Sequence, residues 1–179
     1  MNENFRLYTA YARIDGAIIG AMWIASFFCF IGEFQLQILN IVAIALGLTS
    51  VFAGYTRLRK FRDVVLGGSI TFSCATLYSI LIFFYASLLL AVAQYVYFQF
   101  IDQGYLMNQY ISTLSQPEYA KVVKEVYGMD AKQIITLLQT TISTLRPIEI
   151  AFQFLTLNII FGIFLSIPIG ALARRIKNI

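Results

Sequence analysis

The sequence predicts an all-α integral membrane protein, a four-helix bundle with a helical extracytoplasmic segment between its third and fourth spans. Three observations carry that class. Hydrophobic residues make up 59% of the 179 and charged residues 12%, about half the charged share of a soluble domain, and mean hydropathy is +0.75. Four apolar runs are each long enough to cross a hydrocarbon core of about 30 Å. The basic residues gather in short clusters beside those runs rather than along one polar face, which is the pattern of topology signals and not of a nucleic-acid surface. A single membrane domain, 1–179, uses the whole length, with the lipid bilayer as its first partner and no nucleic acid.

The first span covers about 16–34, on the run GAIIGAMWIASFFCFIG. The charged stretch before it (Arg6, Arg13, Asp15) is long, and no Ala-x-Ala-like site follows, so it is expected to be retained rather than cleaved as a signal. After the short link GEFQLQ the second span covers about 36–55 and ends in the basic run RLRKFRD, Arg57–Asp63. Two spans joined so closely form a hairpin. Gly67 and Gly68 then interrupt the pattern. The third span, about 69–101, is longer than a bilayer requires, and its crowd of Tyr95, Tyr97, Phe98, Phe100 and Tyr105 reads as an aromatic belt with projection on that side.

From 102 to 146 the chain turns polar and mixed in charge. Ser115, Pro117 and Glu118 form a helix start, Gly128 a stop and Asp130 the cap of another helix. Ile134, Leu137, Leu138, Thr141, Ile142 and Leu145 recur at three- and four-residue spacing, an amphipathic stripe suited to the membrane surface or to the protruding third helix. Pro147 precedes the fourth span, about 148–173, where Pro168 deprives the Phe164 carbonyl of its donor and predicts a kink.

Lys and Arg resist translocation. Arg6 and Arg13, then Arg57, Arg59, Lys60 and Arg62, then Arg174, Arg175 and Lys177 all fall on one side of a four-span chain. The expectation is a multi-pass protein of the bacterial cytoplasmic (inner) membrane with both termini cytoplasmic.

Small and polar residues line each span at helical spacing: Ala17, Ala21, Ala25, Cys29 and Gly32; Asn40, Ala43, Gly47, Ser50 and Gly54; Ser69, Ser73, Thr76, Ser87, Ala91 and Gln94; Asn158, Gly162, Ser166 and Gly170. Lipid gives helices no hydrophobic reason to associate, so close approach and interhelical hydrogen bonds must hold them together. Asn40, Gly47, Gly54, Asn158, Gly162, Ser166 and Gly170 are therefore the expected helix-packing residues. A solute path along Asn40, Gln94 and Asn158 is the competing interpretation. Asp15, Glu33, Asp63, Asp102 and Glu149 all fall near expected span ends, which disfavours a proton-coupled carrier.

Histidine is absent, which removes the commonest general base and metal ligand. No Gly-rich phosphate loop with its Lys, Cys-x-x-Cys or Gly-x-Ser-x-Gly occurs, and no catalytic, metal or cofactor-binding residue emerges. Cys29 and Cys74 lie at depths differing by roughly 10 Å or more, too far for a disulfide, and read as small apolar packing residues. One candidate site remains: Arg57, Arg59, Lys60 and Arg62 beside Gly67 and Gly68, where backbone amides at a helix start and arginines would hold a phosphate or anionic lipid headgroup. A flexible reversal flanked by topology charges explains the same residues.

The runs DGAIIG, YTRLRKFRDVVLGGSITFSCA, YFQFIDQGY and the terminal RRIK resemble the bacterial family called domain of unknown function 4199, over nearly the whole chain. The resemblance implies four spans and a bacterial inner membrane, and brings no established reaction or ligand. Members usually carry a charged, often acidic, segment after the third span, where this chain has the less acidic KVVKEVYGMDAKQ. The functional expectation is a non-enzymatic protein that binds a membrane protein, a lipid component or a second copy of itself. An oligomeric small-solute or lipid transporter is the alternative, and a membrane-embedded enzyme acting on a lipid phosphate comes third.

Overall fold

The computed structural model describes residues 3–176. These form seven helices, α1 (Glu3–Gly32), α2 (Ile38–Lys60), α3 (Phe72–Val96), α4 (Tyr105–Leu114), α5 (Pro117–Tyr127), α6 (Ala131–Thr144) and α7 (Pro147–Ala173). Short π-helical turns, Phe61–Val65 and Tyr97–Ile101, extend α2 and α3. Among the described residues there is no strand beyond one isolated bridge, so the all-α class holds. The chain divides into two compact units, Met1–Ala93 with Phe152–Ile179, and Gln94–Ala151.

Four helical stretches, Phe5–Gly32, Ile38–Val65, Phe72–Ile101 and Pro147–Ala173, are long and apolar enough to cross a membrane. This is a multi-pass membrane protein. Each stretch holds 27 to 30 residues, roughly 40–45 Å of helix, so each outruns the hydrocarbon core of about 30 Å. Two boundaries differ from the sequence expectation. The charged stretch placed ahead of the first span is instead the opening of α1, because no Gly or Pro breaks the helix between Glu3 and Asp15. The basic run Arg57–Asp63 is likewise helical rather than a loop, since nothing stops α2 before the glycine pair.

In the first unit α3 is the central helix. Ala75, Tyr78, Ser79, Ile82, Phe83, Ala86, Ser87 and Leu90 are all buried, pairs recurring every third and fourth residue so that one broad face, about half of the helix circumference, is covered. Phe83 is the residue on which the bundle converges. The Trp23 ring of α1 stacks on it at 5.9 Å. A Cβ placed on Gly54 of α2 would come 3.3 Å from its ring, and one on Gly162 of α7 would come 2.7 Å from its Cβ. Hydrogen bonds add to this between α1 and α2, where Trp23 Nε1 donates to Ser50 Oγ (2.7 Å) and Ser26 Oγ to the Ala43 carbonyl (2.9 Å).

The second unit holds the ends of α3 and α7 and the three short helices. Asp102 opens it by accepting from the Gly104 and Leu106 amides, each at 3.1 Å. Pro117 is the first helical residue of α5 and Gln116 its cap. Ser115, expected at that start, instead closes α4 by donating to the Ile111 carbonyl. Gly128 ends α5 at φ +66°, a left-handed turn that favours glycine, and the Asp130 amide donates to Gln133 Oε1. In the α6 stripe Ile134 and Leu138 are half-buried while Leu137 and Thr141 are exposed; the side chain of Ile142 lies outside the described residues.

Candidate functional site

The N-terminal half of α1, the C-terminal end of α2, the start of α3 and the end of α7 meet at one end of the first unit. It carries most of the chain's basic residues. Asp15 of α1 lies there with only 8% exposure, preceded by roughly 18 Å of helix. The helix therefore continues well before the point, about residue 16, at which the sequence expectation began the first span. Tyr78 of α3, fully buried, donates its hydroxyl to Asp15 Oδ2 at 2.7 Å. Arg57 of α2 brings Nη1 to 3.6 Å from Asp15 Oδ1, so both carboxylate oxygens have partners. The Phe61 ring lies flat on Tyr78, centroids 4.1 Å apart and planes 5° from parallel, and Tyr8 meets the edges of both.

Arg62 forms a second fastening. Exposed by only 6%, it donates Nε and Nη2 to the two oxygens of Asp63 at 2.7 and 2.9 Å, and Nη1 to the Ala173 carbonyl at 2.7 Å. A carbonyl at a helix C-terminus has no intrahelical donor, and a guanidinium is well matched to it in charge. The turn after α2 then reverses through Gly67 and Gly68, at φ +69° and +91°, two successive left-handed positions that favour glycine. The chain emerges at Ile70, whose amide donates to the Arg175 carbonyl (2.8 Å) and whose carbonyl accepts from the Arg175 amide (3.0 Å).

The six residues of the sequence-derived anion site therefore diverge in role. Arg57 and Arg62 are held by Asp15, Asp63 and Ala173; Gly67 and Gly68 shape the turn; Arg59 and Lys60 are exposed, with the Arg59 guanidinium 5.8 Å from the Tyr55 ring centroid. Arg175 was not among the candidates, and among the described residues it forms no ion pair. Beside it is a cavity of about 530 Å³ lined by Tyr8, Ser69, Thr71, Cys74 and Arg175 together with Leu66, Ile70 and Ile176. Lys177 lies outside the described residues.

The packing residues also diverge. Gly162, Ser166 and Gly170 are buried, Gly170 so close that a Cβ would come 2.9 Å from the Thr76 amide nitrogen. Gly54 is buried against Phe83, whereas a Cβ on Gly47 would meet nothing within 4 Å. Asn40 is exposed and Asn158 half-buried, while Gln94 is buried with no partner for Oε1 among the described residues. In α1 the contact line is Ala12, Asp15, Gly16, Ile19 and Gly20, not the exposed Ala17, Ala21 and Ala25 of the expected stripe. A Cβ on Gly16 would stand 2.6 Å from Tyr85 Cβ and 2.7 Å from the Ile82 carbonyl oxygen. Cys29 and Cys74 are both free thiols.

A family model described as "Protein of unknown function (DUF4199)" matches residues 15–175. The chain belongs to the DUF4199 family. The part that matches the DUF4199 model runs from Asp15 to Arg175 and so takes in the whole Asp15–Tyr78–Arg57 cluster, the Arg62 fastening and both partners of the Ile70–Arg175 bridge. No curated protein and no solved structure matches the chain.

Proposed function

We propose that this DUF4199 protein is a non-enzymatic component of the bacterial cytoplasmic membrane, with both termini cytoplasmic, that acts by binding another membrane component, a lipid or a protein. The observation that carries this reading is the division of labour at the basic end. Asp15 has both oxygens engaged, and Arg62 is buried on two partners, which suits a scaffold better than a reacting centre. Arg59, Lys60, Arg174 and Arg175 remain exposed around it, and the negative cytoplasmic leaflet favours basic groups on that side.

Orientation is tested by reporter fusions active only outside the cytoplasm. They should be active when inserted between Asp102 and Arg146 and silent at the C-terminus; the reverse pattern contradicts the assignment. Native mass spectrometry of the gently purified protein then tests binding, with retained anionic lipid or a stoichiometric membrane protein expected. A bare, lipid-free monomer would count against it.

A further inference from the structure

We infer that the cavity beside Arg175 is a binding site for the phosphate headgroup of an anionic membrane lipid. The inference deepens the proposed reading and rests on it, since it names both the component and the place. Arg57 and Arg62 are occupied within the fold, whereas Arg175 has no ion pair among the described residues and opens onto the cavity. Its backbone is tied to Ile70 by two hydrogen bonds, 2.8 and 3.0 Å, so the guanidinium is carried from a fixed point rather than from a free tail. Fixing a binding group in advance lowers the entropy lost on binding. A guanidinium also matches two phosphate oxygens at once.

The rest of the lining suits a lipid in particular. Ser69 and Thr71 carry hydroxyls that can donate to phosphate or glycerol oxygens, while the Tyr8 hydroxyl is engaged with Cys74 and closes that wall. Leu66, Ile70 and Ile176 provide apolar wall, which a fully hydrated free phosphate does not need and the first methylenes of an acyl chain do. A volume of about 530 Å³ exceeds what a phosphate fills and falls within the range of small-molecule pockets. The surrounding charge is net positive as well, because Arg59, Lys60 and Arg174 are exposed at the same end, with the Asp63 carboxylate paired to Arg62 and felt by Arg59 and Arg175 from farther off.

Cys74 lies in the cavity lining and serves as the probe. In a Cys29→Ser protein, purified in neutral detergent, maleimide labelling of Cys74 should slow about fivefold or more in mixed micelles containing phosphatidylglycerol. Phosphatidylcholine and inorganic phosphate should leave the rate unchanged. Arg175→Gln should abolish the protection without lowering the melting temperature, because the bonds of Arg175 to Ile70 are made by backbone; Arg59→Gln should preserve it. Equal labelling in both lipids, or protection that survives Arg175→Gln, overturns the assignment, and protection by inorganic phosphate alone reassigns the cavity to a free anion. Native mass spectrometry separates this failure from that of the broader reading. Phosphatidylglycerol retained equally by the parent and Arg175→Gln proteins leaves lipid binding standing but moves it elsewhere, whereas no retained lipid or protein in either removes both.

Discussion

The small-residue lines of α7 and α2 look alike in sequence and end in different surroundings. On α7, Gly162, Ser166 and Gly170 are buried, with Gly162 against Phe83 and Gly170 against Thr76. On α2, Gly54 reaches the same Phe83, yet Gly47, two turns earlier, faces open space and Asn40 is exposed. A repeat of small residues creates the opportunity for close approach; whether it becomes an interface depends on what the neighbouring helix presents there. The basic run repeats the lesson. Arg62 and Lys60 are two residues apart, and only Arg62 turns inward, to Asp63 and the end of α7.

Phe83→Ala should break the comparison most severely. The ring is the common neighbour of Trp23, Gly54 and Gly162, so its loss leaves a cavity where α1, α2 and α7 converge. A loss of about 3–5 kcal/mol is expected, read as a large fall in unfolding midpoint in detergent, and a small change would mean that the helices are held elsewhere. Arg62→Gln should cost about 1.5–3 kcal/mol through its charged hydrogen bonds, while Lys60→Gln, on an exposed residue of the same run, should remain within about 0.5 kcal/mol. Matching losses in the two variants would remove the distinction between fastening and surface basic residues. Tyr78→Phe keeps the ring on Phe61 but deprives Asp15 of its donor, for an expected loss of about 1 kcal/mol. A double variant with Arg57→Gln should deviate from additivity, since both residues serve one carboxylate; strict additivity would show that the cluster does not act as a unit.

Much of the fold was legible because its signals are long and repeated: four apolar runs, the breakers at Gly67–Gly68 and Gly128, and Pro117 opening α5. The ends of α1 and α2 were harder to read, because a helix that leaves the bilayer keeps its backbone bonds while its composition turns polar, so the apolar run stops before the helix does. Asp15 shows the consequence at the site. Judged by the apolar run it stood at a boundary, but judged by its contacts it is the buried partner of Tyr78 and Arg57. The acidic residue immediately before Gly16, with Gly20 one turn on, was the available signal, since a contact line containing two glycines brings α3 close enough to bury that carboxylate. Arg175 offered no signal at all, because its place is set by a backbone pairing with Ile70 more than a hundred positions away.

The central claim is that the partner across the interface, rather than the glycine itself, decides which small residues hold this bundle together. Leucine placed separately at Gly162 and Gly47 tests it most directly, with thermal unfolding of both variants followed in the same detergent. At Gly162 the new side chain would be driven into Phe83 and should lower stability by about 1–3 kcal/mol. At Gly47 it meets open space, and the better helix propensity of leucine should leave stability unchanged or slightly raised. Equal destabilisation by the two leucines, or a stable Gly162→Leu protein, would contradict the claim.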